Sequence, residues 1–148
     1  MTIMNIHTQE LLSVVVPLYN EQDNVLLLTQ KIHESLVGYQ YEIIYIDDFS
    51  TDQTKKVVND LADNQVHLIA LKKNYGQSLA LAAGIDYASG TYIITMDGDL
   101  QNDPSDIPSM LKEAIDGGYD LVTGISSAMQ NHEPIPFIPY TIYEVSNG

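Results

Sequence analysis

Short apolar runs rich in β-branched residues alternate with segments of helical periodicity along this chain, and that alternation dictates a layered fold. Leu11–Leu18 (LLSVVVPL) reads as a buried strand. Val25, Leu28, Ile32 and Leu36 then fall on one stripe of a helix expected over 21–37, with Asn20 as its cap and Gly38 as its stop. A second strand is expected over 41–46 (YEIIYI), followed by a helix over 52–63 capped by Ser50 or Thr51. Further strands are expected over 66–71, 91–96 and 119–123, and further helices over 76–88 and 104–115. This order implies an α/β fold, a mostly parallel sheet with helices on both faces and right-handed crossovers. In such sheets ligands bind outside the carboxyl ends of the strands.

Composition narrows the partners. The 148 residues include 20 Asp and Glu against six basic residues, all Lys, for a net charge of −14. That balance argues against nucleic acid and against a basic patch on an anionic membrane. It leaves room for one anionic ligand held through a divalent cation. The absence of Cys excludes disulfides, thiolate zinc and a Cys nucleophile, and fits a reducing compartment. Residues 1–10 lack the features of a signal peptide, and no apolar run approaches the ~20 residues that cross a bilayer. The expectation is a cytoplasmic chain with no transmembrane segment, placed peripherally on the inner face of a membrane if its acceptor is a lipid.

Acidic and polar clusters follow the expected strands. Met96-Asp97-Gly98-Asp99-Leu100-Gln101 places two carboxylates one residue apart just past a buried strand. Such a pair suits a hard cation, Mg²⁺ or Mn²⁺, shared with substrate phosphates, and Gln101 adds an oxygen donor. In isolation a D-x-D is more often a solvated turn. Asp47-Asp48 follows the second strand, where a carboxylate can accept from a base N–H or a ribose hydroxyl. Ser50 and Asp52 need no role beyond starting a helix. After the first strand come Pro17, Tyr19, which can stack on a flat base, and Glu21, which can bind a hydroxyl. Lys72 and Lys73 follow the third strand, within reach of a phosphate. The coincidence of four such loops at one sheet edge carries more than any one of them. The four His (His7, His33, His67, His132) lack metal-ligand spacing and read as surface or half-buried groups. No P-loop and no G-x-G-x-x-G occurs.

VVVPLYNEQDNV, YEIIYIDDFSTDQT, KKNYGQSLALAAGIDYASG and MDGDLQNDP occur in the order and spacing of glycosyltransferase family 2, with its GT-A (Rossmann-like) fold. The DLQ-x-DP ending and the N-Y-G-Q segment resemble the polyprenyl-phosphate sugar transferases, over about residues 11–124. The resemblance implies an inverting hexosyltransferase that uses a nucleotide diphosphate sugar, a UDP-sugar ahead of a GDP-sugar, with a polyprenyl phosphate as acceptor. It implies a nucleotide pocket of Pro17, Tyr19, Glu21, Asp48, Lys73 and Asp97, and a metal held by Asp97, Asp99 and Gln101. An acceptor that is already an anion needs no strong general base, which fits the lack of an evident catalytic His.

Two departures qualify this. The family carries an Arg soon after the fifth strand, where this chain has Ser126, and the chain has no Arg at all. The family's later strands, acceptor-side helix and membrane helices have no counterpart, so a truncated domain is expected: 1–124 as the nucleotide-sugar-binding half, and 125–148 as a divergent tail. That tail holds Pro134, Pro136 and Pro139 and reads as an edge strand, a linker or a partner-binding arm rather than a helix. An open sheet edge would suit contact with a second copy. The competing reading is a catalytically silent donor-binding module. A receiver domain fits poorly, because its acid pair follows the first strand and here the pair follows the second.

Overall fold

The computed structural model describes residues 10–117 and the backbone of two further strands, 121–123 and 141–144. His7, Ser126, His132 and the three tail prolines lie outside the described residues. The order is β1 (Leu11–Leu18), α1 (Val25–Ser35), β2 (Gln40–Asp47), α2 (Thr54–Asp60), β3 (Val66–Ala70), α3 (Gln77–Tyr87) and β4 (Tyr92–Thr95). A 3₁₀ turn (Pro104–Asp106) then leads into α4 (Ile107–Gly117), followed by β5 (Leu121–Thr123) and β6 (Thr141–Glu144).

The strands form one sheet in the order β3-β2-β1-β4-β6-β5. β1 pairs parallel with β2, from Leu11 opposite Gln40 to Leu18 opposite Asp47, and parallel with β4; β2 pairs parallel with β3. β6 runs antiparallel between β4 and β5. The tail therefore supplies a strand, and one that is interior in the strand order rather than at an edge.

The two-residue period of β1 divides the core. Leu12, Val14, Val16 and Leu18 face Val25, Leu28 and Ile32 of α1, Val58 of α2, and Ile107, Met110 and Leu111 of α4. Val15, with Ile44, Ile46 and Ile93, faces Ala80 of α3. Helices cover both faces, as the continuous apolar strands require. Ser13 is the polar exception inside β1. Its hydroxyl donates to Glu42 Oε1 (2.8 Å) and accepts the Gly90 N–H (2.8 Å), tying the turn before β4 to the central strands.

Two helices start later than their periodicity suggests, for the same reason. Asn20 does not cap α1: it has φ of 53°, and its Oδ1 accepts the Thr51 N–H at 2.8 Å, across the sheet edge. The chain turns through residues 22–24 before α1 begins. Ser50 likewise donates to Asp47 Oδ1 (2.5 Å), and Asp52 takes over the start of α2 by accepting the Thr54 N–H (2.9 Å).

His33 and His67 are half-buried and tie the fold together. His33 Nε2 lies 2.6 Å from Asp63 Oδ2 while Nδ1 meets the Tyr41 hydroxyl, joining α1, β2 and the loop before β3. His67 faces Glu42 at 3.5 Å.

α3 packs closely on the sheet because Gly84 presents no side chain. A Cβ there would lie 2.4 Å from Val15 Cγ1 and 2.5 Å from Ile46 Cδ1. Gly84→Val should therefore destabilise the protein by about 1–3 kcal/mol through overpacking, despite the better helix propensity of Val. A thermal melt should show a midpoint lower by roughly 5 °C; an unchanged midpoint would contradict this packing.

Candidate functional site

The carboxyl ends of β1, β2 and β4 open onto a cleft of about 300 Å³. Pro17, Leu18, Tyr19 and Glu21 line it from the end of β1, Asp48 from β2, Asn74, Gly76 and Gln77 from the loop into α3, and Asp97 from beyond β4. Five residues singled out in the sequence thus share one wall. Tyr19 is about half exposed, at 47%.

Asp48 is buried, and both of its carboxylate oxygens are engaged. Oδ1 accepts the Tyr75 N–H (2.8 Å) and Oδ2 the Gly76 N–H (2.9 Å). It thereby anchors the loop that walls the cleft on the α3 side. Gly76 has φ of 93° and ψ of 161°, a region that glycine alone occupies readily.

The acidic loop after β4 is built tightly. Gly98 rests on the end of β1, where a Cβ would come within 2.6 Å of Leu18 Cδ2 and 3.5 Å of Glu21 Cγ. Asp99 Oδ1 accepts the Gln101 N–H (3.1 Å), and Asn102 Oδ1 accepts the Asp97 N–H (3.0 Å). Leu100, between these two bonds, has φ of 66°. Burial raises the Asp97 pKa to about 6, with the Asp99 and Glu21 charges adding to it and a hydrogen bond from Gln77 Nε2 (3.0 Å) opposing it. Glu21 is also raised, by burial first and then by Asp99 and Asp52, against a hydrogen bond from Asn24.

Among the described residues no three His, Asp or Glu side chains are arranged to hold a metal alone. The donors available are the carboxylates of Asp97 and Asp99, all oxygen and mutually repelling. This set fits Mg²⁺ or Mn²⁺, which take one or two protein carboxylates and complete their shell with phosphate oxygens and water. The exposed Gln101 side chain stands outside the residues lining the cleft, and so does Asp99.

Lys73 is likewise not part of the lining: its ammonium sits over the Tyr75 ring, 4.9 Å from the centroid. A larger depression, about 510 Å³, lies beyond Asp47 and carries Phe49, Lys55, Lys56 and Lys72. It lacks Tyr19, Glu21, Asp48 and Asp97, and its own acids, Asp47 and Asp52, accept from Ser50 and Thr54. Asn74, Gly76 and Gln77 carry no chemical signature of a role in the sequence. The rule that ligands gather at strand carboxyl ends already covered their loop, but nothing in its composition distinguished a lining residue from a solvated one.

A parallel sheet flanked by helices, with one antiparallel strand and acidic loops at its carboxyl edge, defines the GT-A class of α/β domain. The family model for glycosyl transferase family 2 matches residues 13–134, and the chain belongs to that family. It is 42% identical over 118 residues to the dodecaprenyl-phosphate galacturonate synthase of Rhizobium johnstonii, covering 76% of this chain and 35% of that protein. It is 39% identical over 129 residues to the undecaprenyl-phosphate 4-deoxy-4-formamido-L-arabinose transferase of Edwardsiella ictaluri, covering 84% of this chain and 39% of that protein. The chain thus spans little more than a third of the length of these relatives. Among solved structures it resembles a mannosyltransferase from Pyrobaculum calidifontis in complex with GDP-Man and Mn²⁺, with a TM-score of 0.74 and 20% identity over 90% of this chain and 44% of the other. It also resembles the glucosyl-3-phosphoglycerate synthase of Mycobacterium tuberculosis in complex with Mn²⁺, UDP and phosphoglyceric acid, with a TM-score of 0.76 and 17% identity over 95% of this chain and 58% of the other. At these identities the structural likeness establishes the fold.

The charge arrangement has a measurable consequence. The folded state holds the Asp97 proton more tightly than the unfolded chain does, so this group favours folding at low pH and opposes it as pH rises through about 6. Asp97→Asn should therefore stabilise the metal-free protein at pH 7. Water reaches part of this side chain and screens the repulsion, so the expected gain is about 1 kcal/mol, or roughly 2–4 °C. The gain should vanish below pH 4. Melts of both proteins in chelator at several pH values test this, and a loss of stability at pH 7 would refute it.

Proposed function

We propose that this chain binds a nucleotide diphosphate sugar, a UDP-sugar ahead of a GDP-sugar, as the donor side of an inverting glycosyltransferase whose acceptor is a polyprenyl phosphate. The observation that carries the reading is the gathering of Pro17, Tyr19, Glu21, Asp48 and Asp97 around one cleft from the ends of three strands. The names of the relatives support a polyprenyl-phosphate acceptor. No helix among the described residues is long and apolar enough to cross a membrane; with a lipid acceptor, the domain works peripherally at the membrane face.

In this reading Tyr19 stacks on the base, and Pro17 shapes the wall beneath it. Asp48 holds the 72–76 loop in place and uses the remaining lone pairs of its oxygens to accept from a base N–H or ribose hydroxyl. Asp97 and Asp99 hold Mg²⁺ or Mn²⁺ against the diphosphate, with Gln101 as a further oxygen donor and Lys73 swinging toward a phosphate. When bound, the ion supplies charge neutralisation for the leaving diphosphate. Glu21 accepts from a hydroxyl and Gln77 orients Asp97. The acceptor phosphate attacks the sugar carbon from the face opposite the leaving nucleotide, and as an anion it needs no side chain to remove a proton.

One sequence feature favours a second reading, a donor-binding module without turnover: Ser126 stands where the family carries an Arg, and cannot supply its charge or its fork. Transfer to an isoprenyl phosphate separates the two.

Calorimetric titration of UDP with and without Mn²⁺ tests the donor site. Asp99→Asn should abolish the metal-dependent part of binding, and unchanged affinity in Mn²⁺ would remove the metal role. Asp48→Ala should weaken binding about tenfold even without metal, through loss of the loop anchor and of the acceptor. Asp52→Ala should lower the melting temperature and leave affinity unchanged, because that carboxylate serves Thr54 and the Gln22 N–H.

A further inference from the structure

We propose that Asn102 is a positioning residue for the acidic loop: without touching nucleotide or ion, it holds residues 97–102 in the strained turn that keeps Asp97 at the cleft and Asp99 beside it. This inference rests on the metal reading above. Asn102 is 2% exposed, and its Oδ1 accepts the Asp97 N–H at 3.0 Å, closing the loop across its base. The other closing bond, Gln101 N–H to Asp99 Oδ1 at 3.1 Å, lies on the exposed side, where water competes for both groups. The more sheltered bond, from Asp97 N–H to Asn102, therefore carries the closure.

That closure works against strain. Leu100 adopts φ of 66°, a left-handed conformation in which an L-residue with a bulky side chain persists only when its surroundings over-determine it. The loop must also seat Gly98 against Leu18 and Glu21, so a relaxed turn would lift both carboxylates off the end of β1.

Packing alone does not account for an asparagine here. Its Nδ2 is buried with no hydrogen-bond partner, an unfavourable state that an apolar side chain of similar size would avoid. What the asparagine supplies is its acceptor oxygen, aimed at the first peptide of the loop. Groups that orient metal ligands in this way commonly change affinity by 10–100-fold when removed.

Titration of UDP into the full chain by calorimetry, with and without Mn²⁺, tests the role alongside a thermal melt. Asn102→Ala should weaken Mn²⁺-dependent UDP binding by about tenfold or more, while metal-free UDP binding stays within about twofold. Leu100→Gly added to Asn102→Ala should restore about threefold or more, because glycine enters the left-handed region without steric cost. Wild-type binding by Asn102→Ala, an equal loss with and without metal, or no rescue by Leu100→Gly would each overturn the proposal. Should Asn102→Ala fail to fold, Asn102→Asp, which keeps the acceptor oxygen, should bind within about threefold of wild type in Mn²⁺, and a loss beyond tenfold would overturn it. Asp99→Asn separates this inference from its foundation. If that variant keeps metal-dependent binding, the metal reading fails; if it loses binding while Asn102→Ala does not, only the role of Asn102 falls.

Discussion

The parallel pairing of β1 with β2 on one side and β4 on the other is the constraint from which the site follows. β1 is buried on both faces and bonded along both edges, so its register leaves its neighbours no freedom to slide. The ladder runs on past the strand ends: Asp48 N–H donates to Leu18 O (2.9 Å), Leu71 N–H to Asp47 O (2.9 Å) and Met96 N–H to Val15 O (3.1 Å). The loops after β1, β2, β3 and β4 therefore leave the sheet along one edge. A one-residue slip at β2 would turn Asp48 to the opposite face and leave Tyr75 and Gly76 without their acceptor.

The loops are then tied to one another rather than to their own helices. Asn20 reaches from the β1 loop to Thr51, the Glu21 N–H donates to Thr54 Oγ1 (2.9 Å), Asp48 reaches the loop before α3, and Gln77 reaches Asp97. Backbone strain accompanies these ties. Of the four non-glycine residues with positive φ among the described residues, Asn20, Phe49 and Leu100 follow β1, β2 and β4 at the site edge, and Ala62 lies elsewhere. Strain gathered at one edge of a well-packed sheet marks where the fold is held in place by polar contacts instead of burial.

Much of this was legible in the sequence because it depends on local pattern. β1 is legible to the residue, since an apolar β-branched run interrupted by Ser13 has one interpretation when helices flank it. The acidic positions were legible because strand ends are where side chains become available. Legibility failed where the partner is distant in sequence. Asn20 has the chemistry of a helix cap, and only the sheet brings Thr51 within its reach. From the sequence Asp48 reads as a ligand acceptor, while its anchoring of Tyr75 and Gly76 depends on loop geometry that no spacing encodes. β6 was obscured for the opposite reason. Its short run follows three prolines, and its place between β4 and β5 comes from pairing alone.

The charge on this molecule makes sense of a site with so few cations. Among the described residues no lysine lines the cleft, and the backbone N–H groups of Tyr75 and Gly76, which could have cradled an anion, already donate to Asp48. Glu21, Asp97 and Asp99 repel one another and would repel a diphosphate more strongly still. Under the proposed reading Lys73 supplies part of the attraction for that diphosphate, and a divalent ion held by the carboxylates would supply the rest. The repulsion that raises the Asp97 pKa in the empty loop would, in that reading, become affinity for the ion once it is bound. Under that reading the donor would be selected as an ion–nucleotide pair, and the loop that carries Asp97 and Asp99 would bear the weight of recognition.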